Sequence, residues 1–466
     1  MSQPTLHDLI VATGGRPSGG VRPGNRVGQV QTDSRLISAG DCFWALPGSS
    51  LDGHDFAGEA IRRGATCCVV QDDRPALEAH PHIVVPDSLQ ALADFARWNR
   101  ESHEAMVIGI TGSVGKTTTR HMLHAVLSSR FAGSQSPANF NNHVGVPLSL
   151  LKITDGDEFA VIEMGASATG KIARLAAIAR PEAAIVTAVA PAHLEGFGSI
   201  EAIEAGKGEL VAALPADGFA VLNGDDERVR RMASRAACRT ILVGFNADND
   251  LCPGSVSAAN DLLSFRVGDA EFQLRAIGRH HVQAALACVA VAREIGLSDV
   301  EIARGFERFE SVSGRCRKVA VGPWTVIDDT YNASPRSMAA ACEALNGWRT
   351  SGRKWLVVGD MLELGADSPE LHCEVGRVAG ACDLDGVVAV GDRAGDVIRG
   401  ARSAGRGPGQ LAVCRDVSTA MVQLDCWLSP GDVILVKGSR GMKMERVIEQ
   451  LKQLSSQAER SARIAA

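Results

Sequence analysis

No run of apolar residues in this 466-residue chain reaches the roughly 18 that a membrane-crossing helix needs. The amino terminus, MSQPTLHDLIVATGG, has no basic segment followed by a long apolar one, so a cytoplasmic protein without membrane insertion is expected. The 12 cysteines include no C-x-x-C pair, and Cys67 and Cys68 are adjacent. That spacing indicates neither a zinc site nor a disulfide framework, and reduced thiols fit it best. No block of lysine or arginine stands out, and the net charge of −6 argues against a nucleic-acid partner, so any anionic ligand must be held by local groups. No repeat of about 20 to 50 residues is visible. Tyrosine is nearly absent: Tyr331 is the single one.

Hydrophobic residues make up 45% of the chain and charged residues 22%, enough apolar material for real cores. The length exceeds what one core usually holds, so two to four domains are expected.

Residues 106 to 119, MVIGITGSVGKTTT, run an apolar strand-like stretch into a glycine loop ending in Lys116 and Thr117, and the helix-like HMLHAVLSSR follows. That order suits a nucleoside triphosphate. Gly112, Ser113, Val114 and Gly115 offer backbone N–H groups to phosphate oxygens, and Lys116 adds a positive charge. The Thr117 hydroxyl can ligate Mg2+, and Thr118 opens a helix whose positive end faces the anion. The usual loop has four residues between its glycines; here Ile110 stands five before Gly115, so the loop is a variant with a shorter glycine core.

Three blocks can be read along the chain. Residues 1–101 hold short apolar runs at 42–46, 66–70 and 82–85 between helical stretches, a small α/β unit. Residues 102–312 alternate further strand candidates, at 159–163, 184–189, 219–222 and 240–243, with helices, which favours a mainly parallel sheet. Residues 313–466 repeat the alternation, with strands expected at 324–328, 354–358, 386–390 and 432–436. This is a Rossmann-like pattern without Gly-x-Gly-x-x-Gly, so it does not support a dinucleotide. The stretch 402–410, RSAGRGPGQ, reads as a loop, and the polar tail from about 453 as a frayed end. The fold expected is therefore α/β in three domains.

Polar residues at strand ends are the candidates for chemistry, because ligands of parallel sheets bind at carboxyl ends. Glu163 ends AVIEMG, and His193 follows AAIVTAV; both are metal-ligand candidates, against the plainer readings of a helix cap and a turn. Lys207, in SIEAIEAGKGEL, lies on a helix by period beside Glu204 and Glu209, and local pattern reads it as a solvated lysine in ion pairs. The stretch IDDTYNASP places Asp328, Asp329, Tyr331 and Asn332 after a strand; it is either a functional edge or a turn built from Asp, Asn and Pro.

Taken together, these motifs resemble the Mur ligases of peptidoglycan precursor synthesis over nearly the whole chain. The first block carries TDSR (32–35), GDCFWALPG (40–48) and DGHDF (52–56). The middle block carries TGSVGKTT, NFNNHVGVPLSLL (139–151), EMGAS (163–167) and PAHLEGFGS (191–199). The last carries DDTYNASP (328–335), GDMLELG (359–365) and VKGSRGMKME (436–445). GDMLELG and NFNNHVGVP are the most specific of these.

The resemblance implies a small UDP-sugar-binding domain, a central ATP-binding domain and a Rossmann-like ligase domain. It implies ATP and Mg2+ as cofactors, UDP-N-acetylmuramoyl-tripeptide and D-alanyl-D-alanine as substrates, and a monomer is expected. Thr117 and Glu163 would hold a Mg2+ shared with the ATP phosphates, His193 would bind a second, and Lys207 falls on the family's carbamylated lysine. Arg315, in SGRCRK, would reach the ATP, with His280 in the helix beside the base and with Asp329, Tyr331 and Asn332 closing over the nucleotide. Ser34 and Arg35 fall in the uridine-nucleotide domain, and Asn139, Asn141 and Asn142 lie where the UDP-sugar diphosphate is approached.

One stretch departs from the family. The usual Gly-x-His-Asn-x-x-Asn reads Gly278-Arg279-His280-His281-Val282-Gln283-Ala284 here, so His281 and Ala284 replace both asparagines at the base, although a ring nitrogen of His281 can still hydrogen-bond. The implied chemistry is activation of a carboxylate by the γ-phosphoryl group of ATP, then attack by an amine. Two rivals are another ligase of the superfamily, against which the first block and GDMLELG both speak, and a nucleotide switch that hydrolyses ATP without ligation.

Overall fold

The computed structural model describes residues 3–48, 51–73, 77–191, 194–405 and 410–465. Among them the chain forms three α/β units along its length, with four sheets. In the first, Val30–Gln31, Cys42–Trp44, Cys67–Val70 and His82–Val84 run parallel, and Arg16–Ser18 pairs antiparallel with His82–Val84 at the edge. Helix Ser88–Glu101 packs on this sheet, with Phe95 stacked on Trp44. Asp87 caps it by accepting from Leu89 N and Gln90 N, and Ala91, Leu92, Phe95 and Ala96 form its buried stripe. One turn further on, Asn99 donates to the carbonyls of Leu150 at 2.9 Å and Ile153 at 3.2 Å, tying the first unit to the second.

The central sheet has six parallel strands in the order Arg239–Val243, Phe219–Asn223, Ala183–Val186, Met106–Thr111, Phe159–Glu163, Gly133–Gln135. Its inner strands are apolar on both faces because helices cover both. Helix Lys116–Leu127 buries Met122, Leu123, Val126 and Leu127. These pack with helix His281–Glu294, whose run of alanine and valine suits burial on nearly every side, in one core cluster.

The parallel reading misses one part of this unit. Ser255–Ala259, Leu262–Val267 and Ala270–Arg275 form a separate antiparallel sheet. Its inward Phe265 and Phe272 lie 5.4 Å apart and meet Phe306 edge-on. Two-residue turns join its strands, with Asn260 (φ 55°) and Gly268 (φ 61°) in the left-handed region that such turns require.

The last sheet runs Arg317–Val321, Trp324–Asp329, Val433–Lys437, Lys354–Gly359, Gly386–Val390, Leu411–Cys414, all parallel except the first. The tail does not fray at 453: helix Glu445–Ala465 continues through it, because Val447, Ile448 and Leu451 anchor its first turns on the sheet. Residues 402–403, expected in a loop, end helix Ala394–Ser403, and 406–409 lie outside the described residues.

The middle and last units are tied together on both sides. Asn260 pairs with the backbone of Arg349 in both directions, at 3.1 and 2.8 Å, and Arg336 meets Asp226 at 3.1 Å. The carboxyl ends of both large sheets thereby face one cavity. Among the described residues no helix is long and apolar enough to cross a membrane.

Candidate active site between the two larger sheets

The glycine loop leaves strand Met106–Thr111 and enters helix Lys116–Leu127 as its sequence suggests. Only glycine fits at 112: φ is 150°, and a Cβ would sit 1.9 Å from Thr187 Oγ1. Side chains behind the loop hold it, with Thr187 Oγ1 donating to Val114 O at 2.6 Å and Ser113 Oγ to Ala190 O at 2.9 Å. Lys116 Nζ donates to Gly112 O at 2.7 Å across the loop's mouth. Desolvation against the loop holds its amine below the ordinary lysine range, partly offset by Glu163.

This loop forms one wall of a cavity of about 500 Å³. Of the residues expected to hold the nucleotide, Ser113, Val114, Gly115, Lys116, Thr117, Thr118, His280, Arg315, Asp329, Tyr331 and Asn332 line it, and Gly112 does not. Asn139, Asn141 and Glu163 line it too.

At its centre Thr117 Oγ1 donates to Glu163 Oε2 at 2.9 Å, and Asn141 Nδ2 donates to Glu163 Oε1 at 2.8 Å. Glu163 does not cap a helix. It ends its strand 1% exposed, its backbone N–H bound by Ser136 Oγ at 3.0 Å and the fully buried Arg120 guanidinium 3.7 Å away. From the opposite sheet Arg315 lies over the Tyr331 ring, 4.0 Å from its centre, and donates to Thr117 Oγ1 at 3.1 Å.

Lys207 is not the solvated residue its neighbours suggest. It is 3% exposed on helix Ile200–Ala212, with Nζ 5.8 Å from the centre of the Phe197 ring. Glu204 pairs instead with Arg231 at 2.7 Å, and Glu209 accepts from the N–H groups of Gly170 and Ala173. Burial, and then the charge of Lys116, lower the Lys207 pKa to about 7. It does not line the cavity. His193 lies outside the described residues.

Three expected residues sit away from the cavity. Ser34 is buried and donates to Glu59 at 3.3 Å, Arg35 is exposed on Asp33 at 2.7 Å, and Asn142 Oδ1 accepts from the N–H of Gly145 at 2.8 Å at the start of a helix.

Sequence reasoning passed over Lys437. It is 2% exposed, its Nζ 2.6 Å from Asp329 Oδ2 and 2.9 Å from Asn332 O, which fixes the two segments that line the far wall. Its signal was a lysine ending the otherwise apolar strand VILVK. The GDMLELG stretch is shaped from behind in the same way. Asp360 accepts from Asp392 N at 2.8 Å and Arg393 N at 3.1 Å, and His372 Nε2 accepts from Met361 N at 2.9 Å. This turns Leu362, Glu363 and Leu364 to the cavity, with Glu363 left-handed at φ 63°.

A phosphate loop on one parallel sheet, faced by the carboxyl end of a second, defines a nucleotide-binding α/β protein with a composite site. The chain matches the Mur ligase middle domain over residues 110–292, the Mur ligase glutamate ligase domain over 308–440, and the Mur ligase family catalytic domain over 26–100. It belongs to the Mur ligase family. It is 34% identical over 436 residues to UDP-N-acetylmuramoyl-tripeptide--D-alanyl-D-alanine ligase of Haemophilus influenzae, covering 92% of this chain and 94% of that one. Its fold is similar to MurF from Acinetobacter baumannii, with TM-score 0.87 and 30% identity, covering 96% and 98% of the two chains. MurF ligase from Thermotoga maritima, solved with ADP, matches with TM-score 0.79 and 30% identity over 92% and 98%.

Proposed function

We propose that the chain is an ATP-dependent ligase that adds D-alanyl-D-alanine to UDP-N-acetylmuramoyl-tripeptide in peptidoglycan precursor synthesis. The observation that carries this reading is the two-sided cavity: a phosphate loop faces the GDMLELG wall, in a chain related over nine-tenths of its length to ligases of that name. Residues 1–101 hold the UDP-sugar, residues 102–312 the ATP and residues 313–466 the incoming dipeptide. Ser34, Arg35, Asn139, Asn141 and Asn142 serve the UDP-sugar.

A carboxylate is a poor electrophile. One of its oxygens takes the γ-phosphoryl group, ADP leaves, and an acyl phosphate results. The free amine of D-alanyl-D-alanine then attacks the acyl carbon, the amine gives up a proton, and inorganic phosphate leaves as the peptide bond forms. Phosphoryl transfer needs alignment and charge neutralisation more than covalent help. The loop N–H groups align the phosphates, Lys116 neutralises charge on the transferring group, and Arg315 reaches in from the other sheet. The walls built on Lys437 and GDMLELG keep water from the acyl phosphate.

The hydroxyl of Thr117 and the carboxylate of Glu163 form a hard oxygen pair of the kind Mg2+ takes, and His193 belongs to the same reading as a ligand of a second ion. When bound, Mg2+ supplies charge neutralisation at the phosphates. A buried lysine with no carboxylate partner among the described residues and a pKa near 7 favours carbamylation of Lys207, since only the neutral amine takes up CO2.

Phosphate release measured with and without each substrate tests the reading. A requirement for both is expected. ATP hydrolysis at the same rate without either would mark a nucleotide switch, and a requirement met by a single amino acid in place of the dipeptide would mark an earlier ligase.

A further inference from the structure

Arg120 stands one turn past Lys116 on helix Lys116–Leu127 and is fully buried. Its Nη2 donates to two acceptors, Ala138 O at 2.8 Å and His121 Nε2 at 2.8 Å. Nε faces Glu163 Oε2 at 3.7 Å, and neither Nε nor Nη1 has a hydrogen-bond partner among the described residues. A guanidinium is costlier to bury than an apolar side chain of its size, so filling space does not account for this residue.

What it holds is strained. Residues 137–140 form a turn closed by the N–H of Phe140 on Pro137 O at 3.0 Å, and the first central position is Ala138 at φ 43°. That left-handed position ordinarily takes glycine or asparagine, because a Cβ crowds the backbone there. A strained residue persists where its surroundings over-determine it. Here the Ala138 carbonyl is tied to Arg120. On the far side of the turn Asn141 O accepts from Gly165 N at 2.7 Å, and Asn141 Nδ2 donates to Glu163 Oε1 at 2.8 Å. The turn so held brings Asn139 and Asn141 to the cavity, which Arg120 itself does not line.

We propose that Arg120 is a positioning residue for the UDP-sugar: by holding the left-handed turn at Ala138 it sets Asn139 and Asn141 on the cavity wall. This inference rests on the reading of those two asparagines as UDP-sugar residues. Without the guanidinium the turn relaxes toward the right-handed backbone that alanine prefers, and the asparagines lose the geometry in which they meet the ligand together. The phosphate loop is left in place, since Thr187 and Ser113 hold it from behind.

The test compares KM for UDP-N-acetylmuramoyl-tripeptide with KM for ATP in the full ligation reaction. Arg120→Met, which keeps an unbranched side chain and loses the donors, should raise the first by about tenfold or more and leave the second within about threefold. Adding Ala138→Gly should bring the first back to within about threefold of wild type, because glycine takes the left-handed turn without a guanidinium to hold it. Packing lost at residue 120 would not be repaired by a change at 138. Should Arg120→Met fail to fold, Arg120→Gln, shorter and neutral, replaces it in both comparisons with the same expected outcome. Equal rises in the two KM values, or a rise that Ala138→Gly leaves unchanged, would overturn the inference while leaving the UDP-sugar reading standing. An unchanged KM for the UDP-tripeptide in both Asn139→Ala and Asn141→Ala would instead remove the UDP-sugar from this loop, and the role of Arg120 with it.

Discussion

At the carboxyl end of the central sheet Glu163 is held by the neutral side chains of Thr117 and Asn141, whereas at the end of the last sheet Lys437 and Asp329 close an ion pair on each other. Two buried lysines make the difference concrete. Lys437, at a strand end of the last sheet, has Asp329 at 2.6 Å and a backbone carbonyl at 2.9 Å. Lys207, in the central unit, is equally buried but has neither carboxylate neighbour as a partner, and its amine is pushed down to about 7. A buried charge that is paired holds a wall in shape; one that is unpaired is costly in the free protein and signals a group yet to arrive. On the proposed reading, binding chemistry concentrates on the central unit and shape on the last.

Breaking the paired lysine should give the largest effect. Lys437→Met leaves Asp329 buried without its partner, and urea denaturation should show a loss of about 3–5 kcal/mol. A loss below about 1 kcal/mol would mean that the pair does not hold the wall. Next comes Lys116→Ala, which on the proposed reading removes charge aimed at the transferring phosphoryl group. Steady-state ligation should fall by about 10²-fold or more in kcat with the fold intact, and near-normal turnover would remove Lys116 from the chemistry.

Lys207→Met sharpens the contrast because its sign is opposite. The folded amine titrates near 7 and the unfolded one near 10.5, so between them the unfolded chain holds the extra proton and stability rises with pH. In CO2-free buffer without metal, the variant should be more stable than wild type by about 1–3 kcal/mol at pH 6, with the gain shrinking as pH climbs past 7. A destabilised variant at pH 6 would return Lys207 to a conventional packed role. With ¹³C-bicarbonate, wild type should show a carbamate carbon resonance that the variant lacks. The smallest effect is expected of Tyr331→Phe, which keeps the ring under Arg315 and should leave kcat/KM within about threefold; a larger loss would assign work to the hydroxyl.

Much of this was legible in the chain. The glycine loop, the long buried strands and Glu163 at a strand end were readable because a parallel sheet leaves near-continuous apolar runs that stop where function begins. The sheet over Ser255–Arg275 was harder. Its two-residue turns and alternating Leu263, Phe265, Phe272 and Leu274 were present, but they are brief beside the surrounding helix and strand pattern. Lys207 was misread by local pattern for a physical reason: helical spacing puts Glu204 and Glu209 nearby, while only tertiary structure shows Arg231 and two backbone amides engaging them. The partner of Lys437 lies 108 residues away in the chain, beyond any periodicity.

Transfer of the γ-phosphoryl group to a carboxylate across this cavity is tested most directly by isotope. UDP-N-acetylmuramoyl-tripeptide carrying ¹⁸O in its terminal carboxylate is turned over with ATP and D-alanyl-D-alanine, and the released phosphate is analysed by mass spectrometry. One ¹⁸O atom should pass into inorganic phosphate with each peptide bond formed. Unlabelled phosphate, or label recovered in AMP, would contradict an acyl phosphate and with it the division of labour between the two sheets.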